Sequence, residues 1–265
     1  MKINKIISAI LVLSLCMSIT ITASANDHPV PIDGTDYTLI KSNLEAVKNA
    51  GSANRIGGFS GAREATAEQI AESAKQVDKN LAINDSLIVQ KAVASSTWNT
   101  LPSFVYYAQE LNYSCGAAAV KMALKYLTGS TYAESTIRTG VHTSSAYGTY
   151  LSDMVSYINT QQSKNNYVSV YGASKSSLQL SLYNGIVYWD TPPIVGLRES
   201  TSNGWAFNLS GHFVTVYAVM SDYSNVSLCD PWAGYVSSSS AYKFVNKSTD
   251  DVYTAYNAVN IGYMY

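Results

Sequence analysis

Hydrophobic positions along the chain change their spacing several times. A largely apolar run from Ile6 to Ile21 follows Lys2 and Lys5 and ends at Ala23-Ser24-Ala25. That order of charge, apolar stretch and small residues predicts an export signal over residues 1–25, removed near Asn26. Ser8, Ser14 and Ser18 interrupt the run, which falls short of the roughly 20 apolar residues of a membrane span. Leu15 before Cys16 argues against a lipoprotein cleavage site. Helical spacing then predicts a helix from Leu39 to Ala50, stopped by Gly51. A second helix is capped by Thr66, with Gln69 three residues on and Ile70, Val77 and Leu81 along one face.

Beyond residue 100 both periods occur. Val120, Leu124 and Leu127 mark a helix from Ser114 to Leu127 with Gly129 as its stop. Helices are also predicted at Thr131 to Thr139, with Thr131 and Glu134 as a capping box, at Tyr150 to Thr160, and at Ser174 to Asn184. After Pro192-Pro193 the spacing turns to that of strands: Ile194 to Leu197, His212 to Met220, Val226 to Cys229, and Val259 to Tyr265. Helices followed by antiparallel strands predict an α+β fold.

Composition sharpens this division. Residues 26–100 contain three aromatics, Tyr37, Phe59 and Trp98, whereas 27 fall in residues 101–265. A boundary is therefore expected between Trp98 and Pro102, with a helical arm at 26–100 and the main domain at 101–265. Charged residues make up 13% of the chain, the net charge is -1, and no basic cluster occurs, which excludes an electrostatic footprint for nucleic acid. The sequence has no metal-ligand cluster, phosphate loop or basic amphipathic stretch. No cofactor, and no membrane contact once the signal is removed, is expected.

Export would leave two cysteines, and the default for such a pair is one disulfide. The setting of Cys115 points elsewhere. At the first turn of a helix, unpaired N–H groups and the dipole favour a thiolate, and Gly116 clears space beside the sulfur. A thiolate nucleophile needs an imidazole. His28 lies in the leading tail and His142 in a Ser/Thr-rich loop, whereas His212 follows Gly211 at the start of a strand. A hairpin centred on Ser221 would pair Val216 with Val226, Val214 with Leu228 and His212 with Asp230, aligning a carboxylate with the ring. Asp222 reads as a turn former and Cys229 as a buried structural thiol on the opposite face, so the two cysteines are expected to be unjoined. Gln109, six residues before Cys115, is a candidate oxyanion donor beside the Cys115 N–H.

Taken in order, Gln109, Cys115-Gly116, His212 and Asp230-Pro231 resemble the papain-like clan and, within it, the C39-like cysteine peptidases. The resemblance spans about residues 101–265. It implies a peptidase acting on peptides or proteins, with Cys115 as nucleophile, His212 as general base and acid, Asp230 orienting the ring and Gln109 binding the oxyanion. Ser114 stands where peptidases of bacteriocin transporters often carry Asp, and their membrane and ATP-binding domains are missing, which speaks against transport-coupled leader removal. A transglutaminase-like enzyme has the same residue order, and a Tyr-rich, catalytically inactive binding module is an alternative of a different class. Residues 26–100 read as a prosegment covering the groove. Removal is expected within Ser95 to Thr100, with Gly57-Gly58 as a second site.

Overall fold

The strand with the longest apolar stretch is the one on which the others are assembled. The computed structural model describes residues 28–49, 61–75 and 96–265. In chain order the elements are β1 (Ile32–Asp33), α1 (Tyr37–Asn49), α2 (Ala67–Ser73), β2 (Trp98–Thr100), β3 (Val105–Tyr106), α3 (Cys115–Thr128), α4 (Glu134–Gly140) and α5 (Leu151–Gln161). Then come β4 (Ser169–Val170), α6 (Lys175–Val187), β5 (Ile194–Glu199), β6 (Leu209–Met220), β7 (Asn225–Cys229), α7 (Pro231–Val236), β8 (Phe244–Ser248), α8 (Thr249–Asn257) and β9 (Tyr263–Met264). The main sheet runs β4-β9-β5-β6-β7-β8, and β2 pairs with the far end of β6. The fold is α+β. No described helix is long and apolar enough to cross a membrane.

Alternation along β5 and β6 supplies two cores from one sheet. Ile194 and Phe213 join α3 and α5 on one side, whereas Val195, Leu197, Val214 and Val216 join α6 and α8 on the other. α3 is buried almost all round. Its Ala117, Ala118, Ala119 and Ala123 combine high helix propensity with a surface that lets the backbone approach β6 closely. Gly129 ends it in the left-handed conformation, φ +72°, returning its N–H to Lys125 O.

Several elements depart from the sequence reading. α4 begins at Glu134 rather than Thr131, with no side-chain cap. The Glu134 carboxylate turns inward instead, accepting from Ser114 Oγ at 2.6 Å and from Glu110 N at 3.0 Å, with Arg138 Nη1 at 3.2 Å. Between Cys229 and the last strand, where the hydrophobic spacing predicts no element, lie α7, β8 and α8, and that strand shrinks to Tyr263–Met264. The capping box of Thr66 and Gln69 is present at the start of α2, but Val77, Leu81, the export segment and Gly57-Gly58 lie outside the described residues.

The arm is also less separate than its composition suggests. β1 pairs in parallel with β3, and Ile40 of α1 is buried in the core. Trp98–Thr100, expected in an exposed linker, is a strand paired with Met220, Val219 and Ala218. His28, assigned to a leading tail, is buried: it sits 4.5 Å from the Trp98 ring and 2.7 Å from Ser227 Oγ. A chain starting at Leu101 would lose β1, α1, α2 and β2 and bare the apolar surface this arm covers. It is expected to be recovered insoluble or without a cooperative thermal transition, while the chain from Asn26 melts cooperatively in the same calorimetric scan.

Glu134 makes stability pH-dependent. Burial, reinforced by the nearby Glu110 carboxylate, pushes its pKa from 4.5 to about 7. The folded state thus holds this proton where the unfolded chain has released it, and stability falls as pH rises from about 4.5 through about 7. The loss is about 3 kcal/mol across that window. Denaturant melts at pH 5 and pH 8 should show it, and Glu134→Gln should flatten the slope.

Candidate active site

Cys115 opens α3, and the loop before it is fixed by its own polar groups. Ser114 Oγ accepts from Leu111 N at 3.0 Å and donates to Glu134. Gln109 is buried in this loop: its backbone N–H donates to Pro231 O at 3.1 Å and its Nε2 to Leu111 O at 2.6 Å, while Oε1 has no partner among the described residues. Gly116 lets the chain before α5 pack on the first turn, since a Cβ there would lie 3.0 Å from Thr149 Cβ.

His212 lies on β6 opposite Leu197, fully buried. Its Nε2 donates to Asp230 Oδ1 at 2.7 Å, which leaves Nδ1 as the lone-pair nitrogen, buried and without a partner among the described residues. The carboxylate is held by helix capping. Asp230 is the N-cap of α7, its Oδ1 also accepts from Trp232 N at 2.8 Å, and Pro231 occupies the first helical position. Tyr106 Oη donates to Asp230 O at 2.9 Å and accepts from Gly234 N at 3.0 Å, bracing the same turn.

The expected hairpin register is wrong by two residues although the predicted pair forms. The turn spans Ser221 to Ser224, and Val216 faces Leu228 while Thr215 faces Cys229. A bulge at Tyr217 restores pairing at Ala218 with Ser227. Asp230 therefore follows the strand's end as a diagonal neighbour of His212, still on its face and within reach. Asp222 is in the turn, accepting from Ser224 N at 2.9 Å. Cys229 sits across from Thr215, as expected, and both Cys115 and Cys229 are buried free thiols. His142 is exposed, 3.7 Å from Asp153.

One member of the site was missed. Glu199, at the end of β5, is buried with its Oε1 4.0 Å from His212 Nε2 and neither oxygen partnered among the described residues. Burial, then the Asp230 carboxylate, push its pKa well above the usual carboxylate range. The available signal was its place beside Leu197 in an alternating strand, where exposed Arg198 takes the outward position. Glu199, His212 and Asp230 bring ligand atoms within 4.8 Å of one another, a set that could hold a metal ion and that the sequence reading did not anticipate. A cavity of about 210 Å³ lined by Glu199, Asp230, Trp205, Tyr242 and Lys247 opens beside them.

The expected low thiol pKa does not occur in this state. Burial pushes Cys115 up to about 12 against the opposing pull of backbone hydrogen bonds from Phe213 and Gly116. Those two contacts also place the sulfur beside the residue that follows His212. Helix-end stabilisation is present, but exclusion of water outweighs it.

No protein-family model matches the sequence, and no curated protein matches it. Among solved structures, the peptidase domain of Streptococcus ComA, a bifunctional ABC transporter of a quorum-sensing pathway, is similar at 17% identity and TM-score 0.40, over 60% of this chain and 93% of that one. The proform of Amb a 11, a cysteine protease and ragweed pollen allergen, is similar at 9% identity and TM-score 0.46, over 86% of this chain and 85% of that one. At these values neither likeness assigns the chain to a family.

The buried thiol has a measurable consequence. In the native protein Cys115 should react with iodoacetamide at neutral pH roughly 10³-fold more slowly than an ordinary exposed thiol. Its rate should still be climbing above pH 10, where an exposed thiol has levelled off. Peptide mapping of the alkylated residue against time and pH checks both.

Proposed function

We propose that the chain is an exported cysteine-type peptidase of the papain-like, C39-like kind, working through Cys115, His212, Asp230 and Gln109. The observation that carries the reading is the buried 2.7 Å bond between His212 and Asp230 on the strand whose next residue touches the Cys115 sulfur. The bond fixes the tautomer, with the proton on Nε2 and the lone pair on Nδ1, the atom left to take a proton from the thiol.

In this mechanism the Cys115 Sγ–H proton passes to His212 Nδ1 as the sulfur attacks a peptide carbonyl. Asp230 stabilises the resulting imidazolium. The oxyanion is held by the Cys115 backbone N–H with a hydrogen of the Gln109 amide, whose other contact is the Leu111 carbonyl. His212 then protonates the departing amine, leaving a thioester that water cleaves with His212 again acting as base.

Cys115→Ala is expected to abolish turnover of a fluorogenic peptide library, and His212→Ala to cost roughly 10²–10⁴-fold. Gln109→Ala should lower kcat by roughly 10²–10³-fold with little change in KM. Asp230→Ala should cost less than His212→Ala, because it orients the ring and does not react. Undiminished hydrolysis by Cys115→Ala would overturn the assignment.

A further inference from the structure

The Nε2 side of the His212 ring gathers more negative groups than the ring needs. Leu197 pairs with His212, but Glu199 faces Leu209, so β6 carries one extra residue between the two pairs. A bulge of this kind re-aims the side chains beside it. The Glu199 carboxylate ends 4.0 Å from His212 Nε2, its side chain 1% exposed, with neither oxygen partnered among the described residues. A buried carboxylate with no donor on either oxygen is costly and calls for a partner. Asp230 reaches the same nitrogen from the start of α7, at 2.7 Å. Three elements thus bring two carboxylates and one imidazole nitrogen within 4.8 Å of one another, all buried.

The cavity of about 210 Å³ gives a way in, since Glu199 and Asp230 both line it. Lys247, on the same wall, is engaged elsewhere at contact distance: its Nζ donates to Gly204 O at 2.5 Å and lies 4.8 Å from the Trp205 ring centre. A small multivalent cation suits the donors that remain. Donors about 2.0 Å from a tetrahedral ion lie roughly 3.3 Å apart. The separations of 2.7 Å to Asp230 and 4.0 Å to Glu199 bracket that spacing. One imidazole nitrogen with two carboxylate oxygens favours Zn²⁺ over Ca²⁺ or Mg²⁺, and the cavity has room for water as a fourth ligand.

We propose that Glu199, His212 and Asp230 form a zinc-type regulatory site that switches off the imidazole. A ring nitrogen binds an ion through its lone pair. His212 Nε2 must therefore give up the proton it donates to Asp230, and the ring, staying neutral, carries that proton on Nδ1. Nδ1 then donates and has no lone pair with which to take a proton from the thiol. The ion inhibits without touching the Cys115 sulfur, and its release restores the tautomer that Asp230 selects. Binding of the ion is independent of the peptidase reading, on which its effect on turnover rests.

Zinc binding is measured by titration calorimetry on the full chain carrying Cys115→Ala, in which the thiol cannot act as a ligand. A single ion should bind. Adding Glu199→Gln should weaken binding by about 100-fold or more, the upper end of what losing an outer-shell partner costs. Lys247→Met, which takes a like charge off the cavity wall, should tighten it. In NMR spectra with isotope-labelled histidine, zinc should move the ring proton of His212, assigned by its loss in His212→Gln, from Nε2 to Nδ1. Loss of binding in Cys115→Ala, equal affinity in folded Glu199→Gln, or an unmoved tautomer would overturn the site. Should Glu199→Gln fail to fold, unchanged affinity in Lys247→Met would do the same. With the thiol present, zinc should inhibit turnover of the peptide library, and Glu199→Gln should raise the half-inhibiting concentration in parallel with the loss of affinity. Binding and the tautomer shift in a chain that turns over no library peptide would leave the site standing and overturn the peptidase reading.

Discussion

The carboxylate of Asp230 carries two obligations at once. It caps α7 through Trp232 N–H and it accepts from His212 Nε2, with a single oxygen serving both. A capping interaction is set by local backbone geometry, so the position of the carboxylate does not depend on the long-range register of the hairpin. That is why the His212–Asp230 contact survives a bulge at Tyr217 and a turn displaced from where alternation would put it. Pro231 belongs to the same device: it costs nothing at the first helical position, where no N–H is needed, and it fixes φ for the turn that follows the strand. The Asp-Pro pair is thus a helix start first, and its suitability for orienting an imidazole follows from where that start falls.

Around this anchor the molecule excludes water, and exclusion acts differently on each group. It strengthens the His212–Asp230 bond, raises the pKa of Glu199 and suppresses ionisation of Cys115. A helix N-terminus can stabilise a thiolate by about a kilocalorie or two, whereas full desolvation shifts a thiol by several.

The sequence was most informative where one local rule decides the outcome. Gly129 ends α3 in the predicted place, Thr66 and Gln69 form the predicted box, and the period-two stretches become β5, β6 and β7. It was misleading where a side chain had two competing partners. Glu134 could cap its own helix or reach Ser114 and Glu110, and the buried network won. The start of α8 was legible in Ser248 followed by Asp250 and Asp251, an N-cap with acidic residues in the first turn, but a short polar segment offered no apolar period to draw attention to it. Few aromatics marked the arm as having little core of its own, and Ile40 with the backbone of two short strands builds it into the domain. Of the site, Cys115, His212, Asp230 and Gln109 were readable as candidates from order and setting. Glu199 was not, because its significance arises only when β5 is laid against β6.

The packing of His28 against Trp98 provides an optical consequence. An imidazole whose ring centre lies 4.5 Å from that of an indole is within quenching distance, and Trp98 sits on β2, the strand that ties the arm to the sheet. Two other tryptophans, Trp205 and Trp232, belong to the core cluster itself. Quenching of Trp98 by His28 therefore reports seating of the arm, while Trp205 and Trp232 report the integrity of the sheet, and the molecule carries its own fluorescent distinction between an arm that lifts and a domain that melts.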